Sequence, residues 1–252
     1  FYKHHYDNET LIVCPTDGLR KKLVAEMPLG TNVVTQHAAF CETKKYRRII
    51  FDEAFNMPTV HMYFIAAYHN VFDVLCVGDP QQIPPVTDYC YTTLRSVCNM
   101  ADNNVTHRCP NDTTSLLRGF GYHTIQTTSS ATSSISALQC TKDVAESIIR
   151  RLGFPVMTYN ETSSCDMFCN TIHGNQGATI PNLILYVDPK SLNTGLLRSE
   201  CHIRVALSRH TDNLLILGSS NSLIQTMYHL NSRLEVNNAI FNQHVHDVDS
   251  YA

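Results

Sequence analysis

The sequence predicts an α/β protein in which parallel sheets are covered by helices. Three observations predict it. Residues 49–55, IIFDEAF, form an apolar run that ends in two adjacent carboxylates, and residues 74–85, VLCVGDPQQIPP, form another that ends in a carboxylate and two amides. Strands buried on both faces read as such continuous apolar runs. Polar groups at the carboxyl ends of parallel strands are where open α/β sheets bind ligands. The third observation is alternation: helical patterns separate the strands from one another, as parallel crossovers require.

Taken in order, residues 11–14 are a short apolar strand running into Pro15, Thr16, Asp17 and Gly18, and 19–27 have helical periodicity. Residues 33–35 read as a second strand, with Gln36, His37 and Ala38 leading into a short helix through Phe40. The basic run 44–48 reads as a solvated approach to the IIFDEAF strand. Pro58 suits the first turn of a helix to about His69, with Val60, Phe64 and Ala67 or Tyr68 as its packing face. Residues 72–77 are the next strand. A turn-rich joint at 101–104 divides the chain into units 1–103 and 104–252.

The second unit opens with VTHRCP at 105–110, and Asn111 or Asp112 is positioned to cap a helix through Phe120. Residues 124–136 are dominated by Ser and Thr and read as a loop or lid, too polar for a core. A helix at 143–152, a strand at 155–159, a glycine-containing loop at 172–179, a strand at 182–187, a helix at 200–208 and a strand at 214–217 repeat the α/β alternation.

Composition limits the partners. Charged residues make up 16% of the chain and the formal charge is -3. No broad basic surface announces nucleic acid, so RNA or DNA contact would use a local channel of amides, hydroxyls and a few cations. The ten cysteines are dispersed, several within apolar runs, which favours buried thiols in a reducing compartment over a disulfide framework. No segment has the apolar length of a membrane span, and the first residues, FYKHHYDNET, lack a signal-peptide pattern. The Asn-x-Ser/Thr triplets at Asn8, Asn104, Asn111 and Asn160 then read as incidental.

Asp52 and Glu53 look like a magnesium anchor beside a water-activating base. An isolated Asp-Glu pair at a strand end is more often a cap or a solvated turn. Asp79, Gln81 and Gln82 at the end of the following strand strengthen the chemical reading, because a plain turn needs neither amide. Arg108 in VTHRCP and Arg209 in VALSRH suit a bidentate hold on phosphate, although either alone reads as a surface arginine. His107 and His210, beside them, are expected to orient the arginine loops without acid–base chemistry. Cys165, Cys169 and His173 repeat at helical spacing but offer only three zinc ligands, so a metal site is set aside. No cysteine has the setting of a protease nucleophile.

The order IIFDEA, VLCVGDPQQIP, VTHRCP, IHGNQGAT and VALSRH resembles the superfamily 1 helicase domain of replication polyproteins from alphavirus-like positive-strand RNA viruses, with the hepevirus version nearest in cadence. The resemblance covers almost the whole chain. It implies two RecA-like domains, the first incomplete, and an NTP-dependent RNA helicase with RNA 5′-triphosphatase activity. ATP or another NTP would be the substrate, Mg2+ the cofactor, and single-stranded or duplex RNA the partner. Methyltransferase and RNA-dependent RNA polymerase domains would share the replicase, in host cytoplasmic replication complexes.

Residue by residue, the resemblance implies that Asp52 holds Mg2+ and Glu53 activates the attacking water. Asp79 would belong to the nucleotide site, and Gln82 would read the γ-phosphate. Arg108 and Arg209 would be arginine fingers. Gly174, Gln176, Gly177 and Thr179 would form the loop that faces RNA and communicates with the nucleotide. Pro15, Thr16, Thr35 and His37 would touch the RNA backbone, largely without regard to sequence.

One departure stands out: no GxxxxGK[ST] loop occurs in these residues. The family pattern puts that loop just ahead of FYKHHYDNET, so the chain is expected to start inside the first domain and to hydrolyse ATP negligibly by itself. The competing readings are a non-catalytic RNA-binding or scaffold module of a replicase and an unrelated α/β nucleotide-binding fold.

Overall fold

The structure is a computed structural model and describes residues 5–85, 101–159, 169–187, 199–232 and 245–247. The chain separates into two compact units, Phe1–Ala101 and Asp102–Ala252.

The first unit is a four-stranded sheet in the order β2-β1-β3-β4, formed by β1 (Thr10–Cys14), β2 (Asn32–Thr35), β3 (Arg48–Phe51) and β4 (Asp73–Cys76). Every pairing is parallel, with Leu11 opposite Asn32 on one side and opposite Ile49 on the other. Period-two alternation sends Leu11, Val13, Ile49 and Phe51 into one cluster and Ile12, Cys14 and Ile50 into another. Helix α1 (Asp17–Glu26) contributes Leu23 to the second cluster, and α2 (Thr59–His69) contributes Met62 and Ile65 to the first. Both sheet faces are thus covered, which accounts for the uninterrupted apolar runs of β1 and β3.

Two expectations for this unit need correction. The packing face of α2 is Thr59, Met62, Ile65 and His69, whereas Val60, Phe64 and Tyr68 are 42%, 62% and 50% exposed and Ala67 is also exposed. The helix carries apolar residues on more than one side, so spacing alone had two stripes to choose between. His69 decides the matter physically: its Nε2 lies 2.9 Å from the Ala39 carbonyl, and its ring packs edge-on to Tyr46. The basic run 44–48 is also not simply solvated. Tyr46 is buried in the first cluster, and Arg48 opens β3 with a 2.7 Å ion pair to Asp73.

The second unit has a six-stranded sheet, β12-β7-β11-β10-β8-β9, and all its pairings are parallel. Its strands are β7 (Ile135–Gln139), β8 (Val156–Thr158), β9 (Cys169–Thr171), β10 (Ile180–Val187), β11 (His210–Gly218) and β12 (Val245–Asp247). A separate parallel pair joins β5 (Val105–Thr106) to β6 (Gln126–Thr127). Helix α3 (Asn111–Gly119) buries Leu116 and Leu117, and α4 (Lys142–Leu152) buries Ala145 and Ile149 against Val156, Ile184 and Leu217. Thr141 caps α4 at its start and Gly153, at φ 63°, ends it. Helix α5 (Glu200–Leu207) buries Ile203, Val205, Ala206 and Leu207; its Arg204 Nε donates to the Phe120 carbonyl at the end of α3. Helix α6 (Ser220–Asn231) follows β11.

The Ser/Thr-rich stretch 124–136 is a largely exposed loop over residues 128–133, as its composition suggested, but both of its ends enter the sheet structure. Gln126 and Thr127 form β6, Ser134 is 4% exposed, and Ile135 opens β7. The Ser134 hydroxyl is interior because it has partners there, Asp112 and His210, as a buried polar group must.

Candidate functional site

In the first unit, the sequence-predicted residues lie along the carboxyl edge of the sheet, one group after each strand. Pro15 and Thr16 follow β1. Thr16 is the N-cap of α1, its Oγ1 accepting from the Leu19 amide at 3.3 Å. Thr35 ends β2, and its Oγ1 accepts from the Ala38 amide at 3.4 Å. His37 is exposed, with its ring 6.5 Å from the ring of His61. The carboxyl edge thereby also gathers His61, at the start of α2, whose Nδ1 lies 3.5 Å from Gln36 Oε1. A lone histidine on an apolar helix offered no sequence signal for that position.

Asp52 and Glu53 follow β3. The Asp52 amide donates to the Val13 carbonyl at 2.8 Å, which keeps it in line with the sheet, and Asp52 is 9% exposed. Glu53 then turns sharply into the left-handed region, at φ 49° and ψ 44°, before a 3-10 turn at Ala54–Asn56. A non-glycine residue held there is costly and is over-represented at functional sites. Beside it, Gly78 follows β4 so closely that a β-carbon would meet the Ala54 nitrogen at 2.9 Å. Asp79 organises the following turn: Oδ1 accepts from the Gln81 amide at 2.8 Å, and Oδ2 accepts from Gln82 Nε2 at 3.1 Å. The other amide atom, Gln82 Oε1, is buried and meets no protein donor among the described residues.

The donor set suits magnesium held jointly with a nucleotide. Mg2+ takes hard oxygen ligands and keeps several waters, using one or two carboxylates beside substrate phosphates. Asp52, Glu53 and Asp79 supply such oxygens, while no group of three or more His, Cys, Asp or Glu side chains forms a cage among the described residues. Cys14, next to this edge, is no competing soft ligand: burial, reinforced by the charge of Asp52, pushes its thiol up to about 12. Of the three residues at zinc-like spacing set aside above, Cys165 lies outside the described residues, and His173 lies near enough to His202 to help lower that imidazole, after the larger effect of burial.

In the second unit, Arg209 lies at the amino end of β11, the glycine loop runs from the carboxyl end of β9 to the amino end of β10, and Arg108 lies at the carboxyl end of β5. Arg108 follows β5, and its Nη1 donates to the Ala178 carbonyl at 2.7 Å, between Gly177 and Thr179. Gly174, Gln176, Gly177 and Thr179 lie between β9 and β10. Gly177 takes φ 79°, a left-handed backbone that a β-carbon would strain, and Gln176 Oε1 is buried without a protein donor among the described residues. The Ile180 amide, at the end of that loop, donates to the Arg209 carbonyl at 2.9 Å. Arg209 is 1% exposed, with Nε 3.1 Å from the Val205 carbonyl and Nη2 2.7 Å from Ser208 Oγ. The structure therefore brings Arg108, the glycine loop and Arg209 together within one unit. His107 Nδ1 lies 3.0 Å from Thr128 Oγ1, and His210 is fully buried.

Among the described residues no helix is long and apolar enough to cross a membrane. The architecture of helix-covered parallel sheets resembles RecA-like superfamily 1 helicases. It is similar to the PRRSV helicase, with a TM-score of 0.66 and 14% identity over 88% of this chain and 50% of that one. An arterivirus nonstructural protein 10 helicase solved with DNA gives 0.60 and 17% over 86% and 56%. In sequence, the chain is 31% identical over 224 residues to the non-structural polyprotein pORF1 of hepatitis E virus genotype 2, covering 84% of this chain and 12% of that polyprotein. It is 28% identical over 222 residues to the avian hepatitis E virus polyprotein, covering 85% and 13%. The methyltransferase/helicase/RNA-directed RNA polymerase of Helicoverpa armigera stunt virus is 27% identical over 238 residues, covering 88% and 14%. The chain thus spans between 12% and 14% of the length of these curated relatives. The model of the viral superfamily 1 RNA helicase core domain matches residues 8–218, and the chain belongs to that family.

Proposed function

We propose that the chain serves in an NTP-driven RNA helicase with RNA 5′-triphosphatase activity, within a viral replicase. The observation that carries this reading is the row of Asp52, Glu53, Asp79 and Gln82 along one sheet edge, in a chain of this family. Glu53 removes the proton from the water that attacks the γ-phosphorus. Asp52 would hold Mg2+ directly or through a water, and the chemistry so supplied would be neutralisation of charge on the phosphate oxygens. Gln82, oriented by Asp79, reads the γ-phosphate. Arg108 and Arg209 are the proposed arginine fingers, a role that guanidinium forks suit. The loop with Gly174, Gln176, Gly177 and Thr179 carries that state to RNA, whose backbone also meets Pro15, Thr16, Thr35 and His37. Methyltransferase and polymerase domains are the proposed neighbours, matching the three activities named for the stunt-virus relative, and host cytoplasmic replication complexes the proposed location.

The competing reading is a replicase module that does no catalysis. A non-catalytic RNA-binding module would bind RNA without coupling it to ATP. RNA-stimulated ATP hydrolysis by the parent replicase, wild type against Glu53→Gln, separates the two. The helicase reading expects a loss of about 10²–10⁴-fold with RNA binding retained. Absence of hydrolysis in the wild-type replicase favours the binding module, and equal rates remove Glu53 as the base.

A further inference from the structure

We infer that Asp112, Thr113, Ser134 and His210 form a buried polar bracket that sets the position of the two arginine-bearing loops, making Asp112 and His210 positioning residues for Arg108 and Arg209. The inference rests on the reading of those arginines as phosphate ligands.

The bracket joins three separate parts of the second unit: the first turn of α3, the residue before β7 and the first residue of β11. All four side chains are at most 4% exposed. The Asp112 carboxylate accepts from the amides of Thr113 at 2.8 Å, Ser134 at 2.6 Å and Ile135 at 3.1 Å, and from Ser134 Oγ at 2.7 Å. His210 Nε2 lies 2.9 Å from Ser134 Oγ and 3.0 Å from Thr113 Oγ1. A carboxylate can only accept, so the single Ser134 hydroxyl proton goes to Asp112. With that proton committed, the Ser134 oxygen is left to accept, and the 2.9 Å contact assigns Nε2–H of His210 as its donor.

Each arginine is adjacent to this bracket in sequence. Arg108 is followed by Cys109 and Pro110 and then by α3, and Arg209 directly precedes His210. Two further bonds close the ring: Arg108 Nη1 to the Ala178 carbonyl, and the Ile180 amide to the Arg209 carbonyl. Well-packed apolar residues could hold three elements together as firmly as a buried polar cluster. The cluster instead supplies direction, since each hydrogen bond has one donor and a narrow range of angles.

The test has two parts. On the 252-residue chain, ¹⁵N NMR of the histidine ring should show the Nε2–H tautomer for His210, and Ser134→Ala should disturb it; an Nδ1–H ring in the wild type overturns the proton assignment and the bracket with it. In the parent replicase, Ser134→Ala and Thr113→Val should lower kcat for RNA-stimulated NTP hydrolysis roughly 10–100-fold, as small displacements of catalytic groups do. KM should stay nearly constant, and Ser134→Thr should restore part of the rate. A folded variant with wild-type kcat, or a loss that follows only the unfolded fraction, overturns the inference. Thr113→Val carries the test if Ser134→Ala does not fold. Arg108→Ala and Arg209→Ala serve as controls: if both hydrolyse normally, the phosphate reading fails while the tautomer still reports on the bracket.

Discussion

A β-carbon on Gly78 would lie 2.9 Å from the backbone nitrogen of Ala54, closer than such contacts are tolerated. The two chain segments that carry the candidate carboxylates are pressed together there, where the Ala54 amide also donates to the Val77 carbonyl at 2.9 Å. Gly78→Ala must therefore shift backbone and not merely a flexible side chain. It should cost about 1–3 kcal/mol, as overpacking does, seen as a lower urea midpoint with an unchanged slope. A wild-type midpoint would show that the turn yields freely.

Arg108 reaches the Ala178 carbonyl through one nitrogen of its fork, which leaves other nitrogens of that guanidinium for phosphate. Arg108→Ala in the parent replicase should reduce NTP hydrolysis by about 10³-fold or more. Arg108→Lys should restore little of it, because an ammonium cannot hold a carbonyl and a phosphate in one planar fork. Full activity in the lysine variant would reduce the residue to a point charge.

The two sides of α2 should respond oppositely to substitution. Ile65 is fully buried, and Ile65→Ala should cost about 2–5 kcal/mol. Phe64, at 62% exposure, should tolerate Phe64→Ser within about 0.5 kcal/mol. Thermal unfolding of both variants gives the answer, and a larger loss for Phe64→Ser would reverse the assigned packing face.

Burial pushes His210 down to about 4 from an ordinary 6.5, with the charge of Asp112 opposing in part. The folded chain thus keeps this ring neutral while the unfolded chain takes up a proton below about 6.5. The stability associated with a depressed histidine is complete above 6.5 and is lost as pH falls toward 4. That loss amounts to about 3 kcal/mol at most. Urea midpoints measured between pH 7 and pH 4.5 should fall in the wild type and fall less steeply in His210→Gln. Parallel slopes would show that other groups govern the acid limb.

Legibility in the sequence followed burial. Strand β3 could be read because both faces are covered and the run 49–51 is fully buried. Strand β4 could be read because 74–77 is apolar without interruption, even though it is an edge strand with Val74 40% exposed. Their polar ends located Asp52, Glu53, Asp79 and Gln82 on one edge for the same reason. Composition misled where polarity is internal: Ser134 belongs to a Ser/Thr-rich stretch that resembles a loop, and only its contacts with Asp112 and His210 explain its burial. Periodicity misled where a helix is apolar on several sides, as α2 is. The meeting of the Arg108 and Arg209 loops at residues 178–180 was hidden because it follows from contacts between segments distant in the chain.

Every described strand pairing is parallel, so none can close through a hairpin. The four described strands of the first sheet have all been made once β4 has been. In the second, β7 has to wait for β11, because Ile135 pairs with Leu214. During synthesis Asp112 and Ser134 leave the ribosome well before His210 has been added, and their polar groups stay hydrated until it arrives. Non-local pairing of this kind is slow to form. The arginine loops therefore take their final shape late in translation, after the carboxylate edge of the first unit can already be in place.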